Sequence, residues 1–191
     1  MKKILIMLFI ASLGVISCKK ESCENPFYCD WDTPFEVPPF DKIKIEHFKP
    51  AFLKGMEEEM AEVNAIISNT DEPTFDNTIR AMQFTGKLLQ KVQRAWGPLS
   101  GANTNDSIQA LQREMSPLFS RHSDDIALNE KLFERVKSVY ENREKFNLTP
   151  EESKLLEDEY LGFIRSGIGL SSENKEVLRK LNSELSLLGV R

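Results

Sequence analysis

Histidine is scarce in this sequence, and its scarcity excludes most metal-centred chemistry. The 191 residues contain two histidines, His47 and His122. No His-Glu-x-x-His motif occurs, so no helix presents two imidazoles one turn apart with a glutamate to activate water. A catalytic zinc site needs three protein ligands and an open position. His122 with Asp124 and Asp125 offers at best a weak metal site, and a surface polar cluster or helix-end contact is the favoured interpretation.

Other catalytic and binding signatures are also missing. There is no Gly-x-Ser-x-Gly nucleophile elbow and no glycine-rich phosphate loop. The glycines of Arg165-Ser166-Gly167-Ile168-Gly169 follow a predicted helix and not a strand, which excludes a dinucleotide-binding turn. The formal net charge is −5, with 30 acidic and 25 basic side chains. Nucleic acid is therefore not an expected partner, since its phosphates require a basic patch.

Cysteine is rare, and the first of the three cysteines follows a targeting segment. Two lysines precede the apolar run Ile4 to Ile16, which is too short to span a bilayer as a mature helix. Val15-Ile16-Ser17-Cys18 then resembles a bacterial lipobox. We therefore predict a signal peptide over residues 1–17, lipidation of Cys18, and a protein anchored to the bacterial cell envelope, facing the periplasm or the exterior. Ordinary secretion with cleavage nearby is the alternative.

The other two cysteines, Cys23 and Cys29, have a spacing that does not suit zinc. The pattern Cys-x5-Cys has no further cysteine or nearby histidine to complete a metal site. An exported chain meets an oxidising compartment, so a disulfide between them, or two free thiols, is favoured over a bound metal. Such a short loop constrains only the leader that contains it.

Residues 18–46 form a leader whose prolines block helix formation, because proline lacks the amide proton and restricts its predecessor. Aromatic side chains are interleaved with these prolines, and we expect the leader to lie across the body of the protein with its rings buried. The rings concerned are those of Phe27, Tyr28, Trp31, Phe35 and Phe40.

From residue 47 to residue 191 the apolar residues recur every three or four positions, which predicts successive helices. The first helix has Glu57, Glu58, Glu59 and Glu62 on a face that we expect to be solvated. A second helix is predicted from Thr74 to a stop at Gly97-Pro98, and a later one is expected to kink or end at Pro117. Asn129, Thr149 and Ser171 or Ser172 are the predicted starts of the last three helices.

The fold class predicted from this pattern is all-α. No alternating run is long enough for a strand of a sheet, and Ile43-Lys44-Ile45 is the only hint of one. The expected architecture is a multi-helix array of antiparallel neighbours joined by short loops.

Several motifs, taken in order, resemble one enzyme family, the thimet oligopeptidase and peptidyl-dipeptidase family of zinc metallopeptidases. The similarity runs from Asn25 to Leu188. It rests on the order and spacing of Asn25-Pro26-Phe27, Trp31 to Ile43, His47-Phe48-Lys49-Pro50-Ala51-Phe52, Pro73 to Ile79, Leu99 to Asp106 and Leu148-Thr149-Pro150-Glu151.

This resemblance implies the helical N-terminal lobe of a two-lobed metallopeptidase, with a deep channel that admits short peptides. The peptidyl-dipeptidase branch releases dipeptides from the C-terminal end of its substrates. The family's zinc is held by His-Glu-x-x-His and a downstream glutamate, which this sequence does not contain, so no catalytic residue, metal ligand or cofactor is assigned here. Family members are several times longer, and we expect a truncated region that is inactive alone.

The alternative is a non-catalytic envelope lipoprotein that binds peptides or a partner protein. Leu178, Leu181, Leu185 and Leu188 repeat at intervals of three, four and three, which is the seam of a helix that pairs with another helix. If no further helix covers this seam, it predicts self-association.

Overall fold

The computed structural model describes residues 24–190, and this part of the chain is helical and contains no β-strand. The all-α prediction is confirmed. A π-helix, Phe75–Arg80, and the 3-10 turns Pro26–Tyr28, Pro34–Glu36 and Arg143–Lys145 lie between or before the main helices. Those helices are α1 (Ile45–Ser68), α2 (Lys87–Ala102), α3 (Asp106–Ala127), α4 (Glu130–Glu141), α5 (Pro150–Arg165) and α6 (Ser172–Leu188).

None of the helices within residues 24–190 has both the length and the apolarity that crossing a bilayer requires. The predicted signal peptide, Cys18 and Cys23 all lie outside the described residues. Lipidation at Cys18 therefore stays a prediction.

Two apolar clusters form the core, and α1 contributes to both. The N-terminal half of α1 packs against α2, α3 and the first turn of the leader. Its C-terminal half packs against the π-helix and α4, which α5 covers in turn. Fully buried side chains of the first cluster include Phe27, Phe48, Phe52, Val92 and Met115, and those of the second include Val63, Ile79, Leu132, Val136 and Leu156.

The helix starts that depend on local capping are confirmed. Asn129 Oδ1 accepts a hydrogen bond from the amide of Leu132 at 3.0 Å, which begins α4. Thr149 and Glu152 exchange reciprocal side-chain to backbone bonds at the start of α5, with Pro150 in the first helical position. Ser171 Oγ accepts a hydrogen bond from the amide of Asn174 at 3.3 Å and so caps α6. These bonds satisfy amide groups that have no partner within the helix.

The prediction of one continuous second helix from Thr74 to Gly97-Pro98 is wrong. The π-helix that starts at Phe75 remains helical only through Met82, and the chain then turns through Gly86, whose φ is +69°. The helix that restarts at Lys87 continues through Gly97 and Pro98 to Ala102. Pro98 is tolerated because it removes a single intrahelical hydrogen bond near the end of α2.

Pro117 also lies within a helix, because α3 continues past it to Ala127. The prediction that the rings of the leader are buried is wrong for three of the five. Phe27 is buried and Trp31 is half-buried, but Tyr28, Phe35 and Phe40 are 40%, 100% and 43% exposed. Phe35 and Glu36 have φ values of 58° and 55°, so the turn at the tip directs the phenyl ring away from the body.

Candidate functional site

His122 lies on the face of α3 that packs against α1, where it forms a polar contact with Glu59. Its Nε2 is 2.7 Å from Glu59 Oε2, and the two side chains are 13% and 18% exposed. They lie beside a cavity of about 400 Å³ that also contacts Gln90, Gln93 and Phe119. The expectation that Glu59 lies on a solvated face is therefore wrong, because a partner 63 residues away covers it.

A second glutamate of α1, Glu62, is also used within the fold. Its Oε2 accepts a hydrogen bond from the amide of Gly86 at 2.8 Å, immediately before α2 begins. The carboxylate of Glu59 lies against the Cα of the same glycine, where a Cβ would be 2.6 Å from Glu59 Cδ. These two carboxylates of α1 therefore hold the start of α2 in place.

His47 has a structural hydrogen bond of its own. Its Nδ1 accepts from the amide of Lys44 at 3.0 Å, at the start of α1. Within residues 24–190, no three or more histidine, cysteine, aspartate or glutamate side chains are grouped so that they could hold a metal ion. The described residues therefore do not fit the zinc ion that the family resemblance implies.

Asp124 and Asp125 face α6, on the other side of α3 from His122. Asp125 Oδ1 pairs with Arg179 at 2.7 Å, and Asp124 Oδ1 accepts from the amide nitrogen of Asn182 at 2.8 Å. Asp124 is 8% exposed, and its second oxygen has no hydrogen-bond partner. The structure thus separates these aspartates from His122, with which a weak metal site had been considered.

The helix α6 packs against α3 through polar side chains, an arrangement that sequence reasoning missed. Lys175 is 7% exposed and its Nζ lies 2.6 Å from Glu130 Oε1. Arg179 and Asn182 follow at intervals of four and three residues, and both bond to α3. This polar stripe was readable in the sequence beside the leucine seam, but only the seam was considered as the packing face of α6.

The leucine seam of α6 faces solvent. Leu181 and Leu185 are 55% and 66% exposed, and Leu188 is similar, whereas Leu178 is half-buried. Val177 extends the exposed surface along the same helix. We call the surface formed by Val177, Leu181, Leu185 and Leu188 the α6 apolar face.

A second open surface lies between the leader and α2, in a cleft of about 690 Å³. Lys91 is at its centre, where its Nζ donates to the Cys29 carbonyl and lies 4.5 Å from the centre of the Trp31 ring. Burial lowers the pKa of Lys91, and the nearby carboxylates of Asp30 and Glu36 act in the opposite direction. These contacts fasten the leader to α2.

Cys29 is disulfide-bonded. Because Cys23 lies outside the described residues, the pairing of Cys23 with Cys29 stays a prediction.

Comparison with known proteins shows a close similarity to two peptidases. No sequence model of a protein family matches the chain. The chain is 37% identical over 164 residues to dipeptidyl carboxypeptidase of Escherichia coli (strain K12), an alignment covering 86% of this chain and 24% of that protein. The dipeptidyl carboxypeptidase of Salmonella typhimurium is 34% identical with the same coverage. Oligopeptidase A of Escherichia coli is 24% identical over 157 residues, 82% of this chain and 23% of the relative. The chain thus spans about a quarter of the length of these relatives.

Proposed function

We propose that this chain supplies the non-catalytic, N-terminal helical part of a zinc metallopeptidase. The premise is that the chain belongs to the thimet oligopeptidase and peptidyl-dipeptidase family over the region that its relatives match. The proposed reaction of the whole enzyme is hydrolysis of short peptides with release of C-terminal dipeptides. The similarity to dipeptidyl carboxypeptidase of Escherichia coli, at 37% identity, supports this choice within the family.

The proposal that this chain is non-catalytic rests on the contacts that its two histidines make. His122 is bonded to Glu59 across two helices, and His47 accepts a bond from the backbone of its own helix start. A catalytic zinc needs three ligands and an exchangeable water, and the two histidines lie in separate structural contacts. This use of both histidines supports the proposal that the zinc ligands and the glutamate that activates water are supplied by another part of the whole enzyme.

The proposed role of the chain is to form one wall of the channel that selects peptides by size. The two-cluster core supports it, because α1 joins both clusters into one continuous framework. We also propose that Cys18 carries the lipid that anchors the protein to the cell envelope. Labelling cells with a radioactive fatty acid tests the anchor, since a Cys18→Ser variant should lose the label that the unaltered chain takes up.

The activity proposal is tested with the purified chain, zinc chloride and a short blocked peptide. We expect neither dipeptide release nor stoichiometric zinc in a metal analysis, while dipeptidyl carboxypeptidase of Escherichia coli, as the positive control, should release dipeptide. A His122→Gln variant is the matched control for adventitious metal. Zinc-dependent turnover by the unaltered chain that this variant abolishes would show that the chain is catalytic and that the proposal is wrong.

One observation favours a second candidate, a non-catalytic envelope lipoprotein that binds a partner protein. The α6 apolar face is exposed, and exposed contiguous apolar surface commonly marks an interaction site. A stoichiometric partner without a zinc peptidase motif, recovered with the chain from the membrane fraction, would favour this candidate. Weak self-association through the same face is compatible with either function.

A further inference from the structure

The helix α6 packs on the protein through three polar side chains, and most of its apolar side chains face solvent. Lys175, Arg179 and Asn182 bond to α3 and α4. A surface helix ordinarily places its apolar stripe on the core and its charges in water. Here the amphipathic pattern is reversed, so the burial of apolar surface in α6 contributes little to holding the helix in place.

This reversal indicates that another surface covers the α6 apolar face. The seam residues recur at intervals of three and four along the helix, which is the spacing that packs into a neighbouring helix. The helix contains three acidic and three basic side chains, so it presents no net positive charge to an anionic membrane. A protein surface, helical and apolar, is the partner that this pattern fits.

The size of the face argues against a second copy of the chain as a stable partner. A standard interface involves about 20–30 residues on each side, and most of its energy comes from a centre shielded by a surrounding rim. The α6 apolar face offers four aliphatic side chains in a single row. Such a row packs stably when a covalent connection holds the partner nearby, because the effective concentration of the partner surface is then high.

We infer that the α6 apolar face is the surface on which the rest of the peptidase, outside the region that this chain matches, packs. This inference rests on the proposed function, since it names the partner of the same non-catalytic region. The relatives supply a reason for the choice of partner. Dipeptidyl carboxypeptidase of Escherichia coli is a single protein of which this chain matches 24%, so most of its length remains to cover such a face.

The test places the same pair of substitutions in two proteins. In this chain, the double variant Leu181→Glu, Leu185→Glu should keep its melting temperature within about 2 °C, because both side chains are already exposed. In full-length dipeptidyl carboxypeptidase of Escherichia coli, glutamates at the two aligned positions should lower the melting temperature by about 5 °C or more, or prevent soluble expression, because they would be buried. Lys180→Glu, exposed on the same helix, is the matched control in this chain, and a glutamate at the aligned position is the control in the relative.

Three other outcomes of these stability and association measurements would count against the inference. An unchanged melting temperature in the full-length relative would show that the rest of that protein does not cover this face. Unfolding of this chain by the double variant would show that the leucines are buried in it. A discrete dimer of this chain that the double variant dissociates would assign the face to a second copy. Zinc-dependent turnover by this chain alone would overturn the proposed function, while the stability comparison would still report on the face.

Discussion

Substituting Gly86 by alanine tests how α1, α2 and α3 are held together. Gly86 has a φ of +69°, a left-handed conformation that is unfavourable for other L-residues by about 1–2 kcal/mol. A Cβ at this position would also lie 2.6 Å from Glu59 Cδ, so the carboxylate would have to move. Moving it weakens the Glu59 bond to His122, which contributes about 1 kcal/mol. We therefore expect Gly86→Ala to destabilise the protein by about 2–3 kcal/mol.

The matched control is Gly162→Ala, within α5. Gly162 is helical, and apart from its chain neighbours and the backbone of its own helix no atom lies within 4 Å of where its Cβ would be placed. Alanine there should stabilise the protein by about 0.5–1 kcal/mol, since glycine in a helix loses more conformational freedom on folding. Urea denaturation followed by circular dichroism measures both changes. A Gly86→Ala variant as stable as the unaltered chain would refute the account of the α2 start.

A double-mutant cycle separates the two components of the Gly86→Ala effect. In a Glu59→Ala background the carboxylate is absent, so only the backbone component of about 1–2 kcal/mol should remain. The difference between the two backgrounds is then the part that acts through Glu59. If Gly86→Ala changes the free energy of unfolding equally in both backgrounds, the contact between residue 86 and the Glu59 carboxylate does not contribute to the effect.

Three further predictions follow from the burial, capping and charge contacts. Leu132→Ala, in the second core cluster, should cost about 2–5 kcal/mol in a urea titration, whereas Leu185→Ala should change stability by less than about 0.5 kcal/mol. Thr149→Ala removes the cap of α5 and should cost about 1 kcal/mol by the same assay. The hydrogen bond and charge of Lys175 lower the pKa of Glu130, so an NMR titration should find its midpoint below the ordinary value, and Lys175→Met should return it there. Because the pKa is lower in the folded state, the stabilisation is present above the ordinary pKa and is lost as the pH falls through the folded-state value.

The features that could be predicted from the sequence are those with a local cause. The cap of α5 at Thr149 and that of α6 at Ser171 are each made by residues within three positions, so the sequence contains every group involved. The all-α class follows from the apolar period for the same reason.

The features that could not be predicted depend on partners that are distant in the sequence. The apolar period continues in phase across residues 75 to 96, so it gives no sign of the break at Gly86. That break is stabilised by Glu62, which is 24 residues earlier. Glu59 looked solvated because the residue that covers it, His122, belongs to another helix. Periodicity reports which residues share a face and does not report what that face meets.

The separation of His122 from Asp124 has a geometrical cause that concerns the proposed function directly. An α-helix turns by about 100° for each residue, so side chains two positions apart point in nearly opposite directions. On α3, His122 accordingly contacts α1 while Asp124 contacts α6. Polar residues that are close together in the sequence of this helix therefore form separate contacts with two neighbouring helices. The polar residues that a metal site would have needed are used to hold α3 between α1 and α6, and the α6 apolar face is a surface that residues 24–190 leave uncovered.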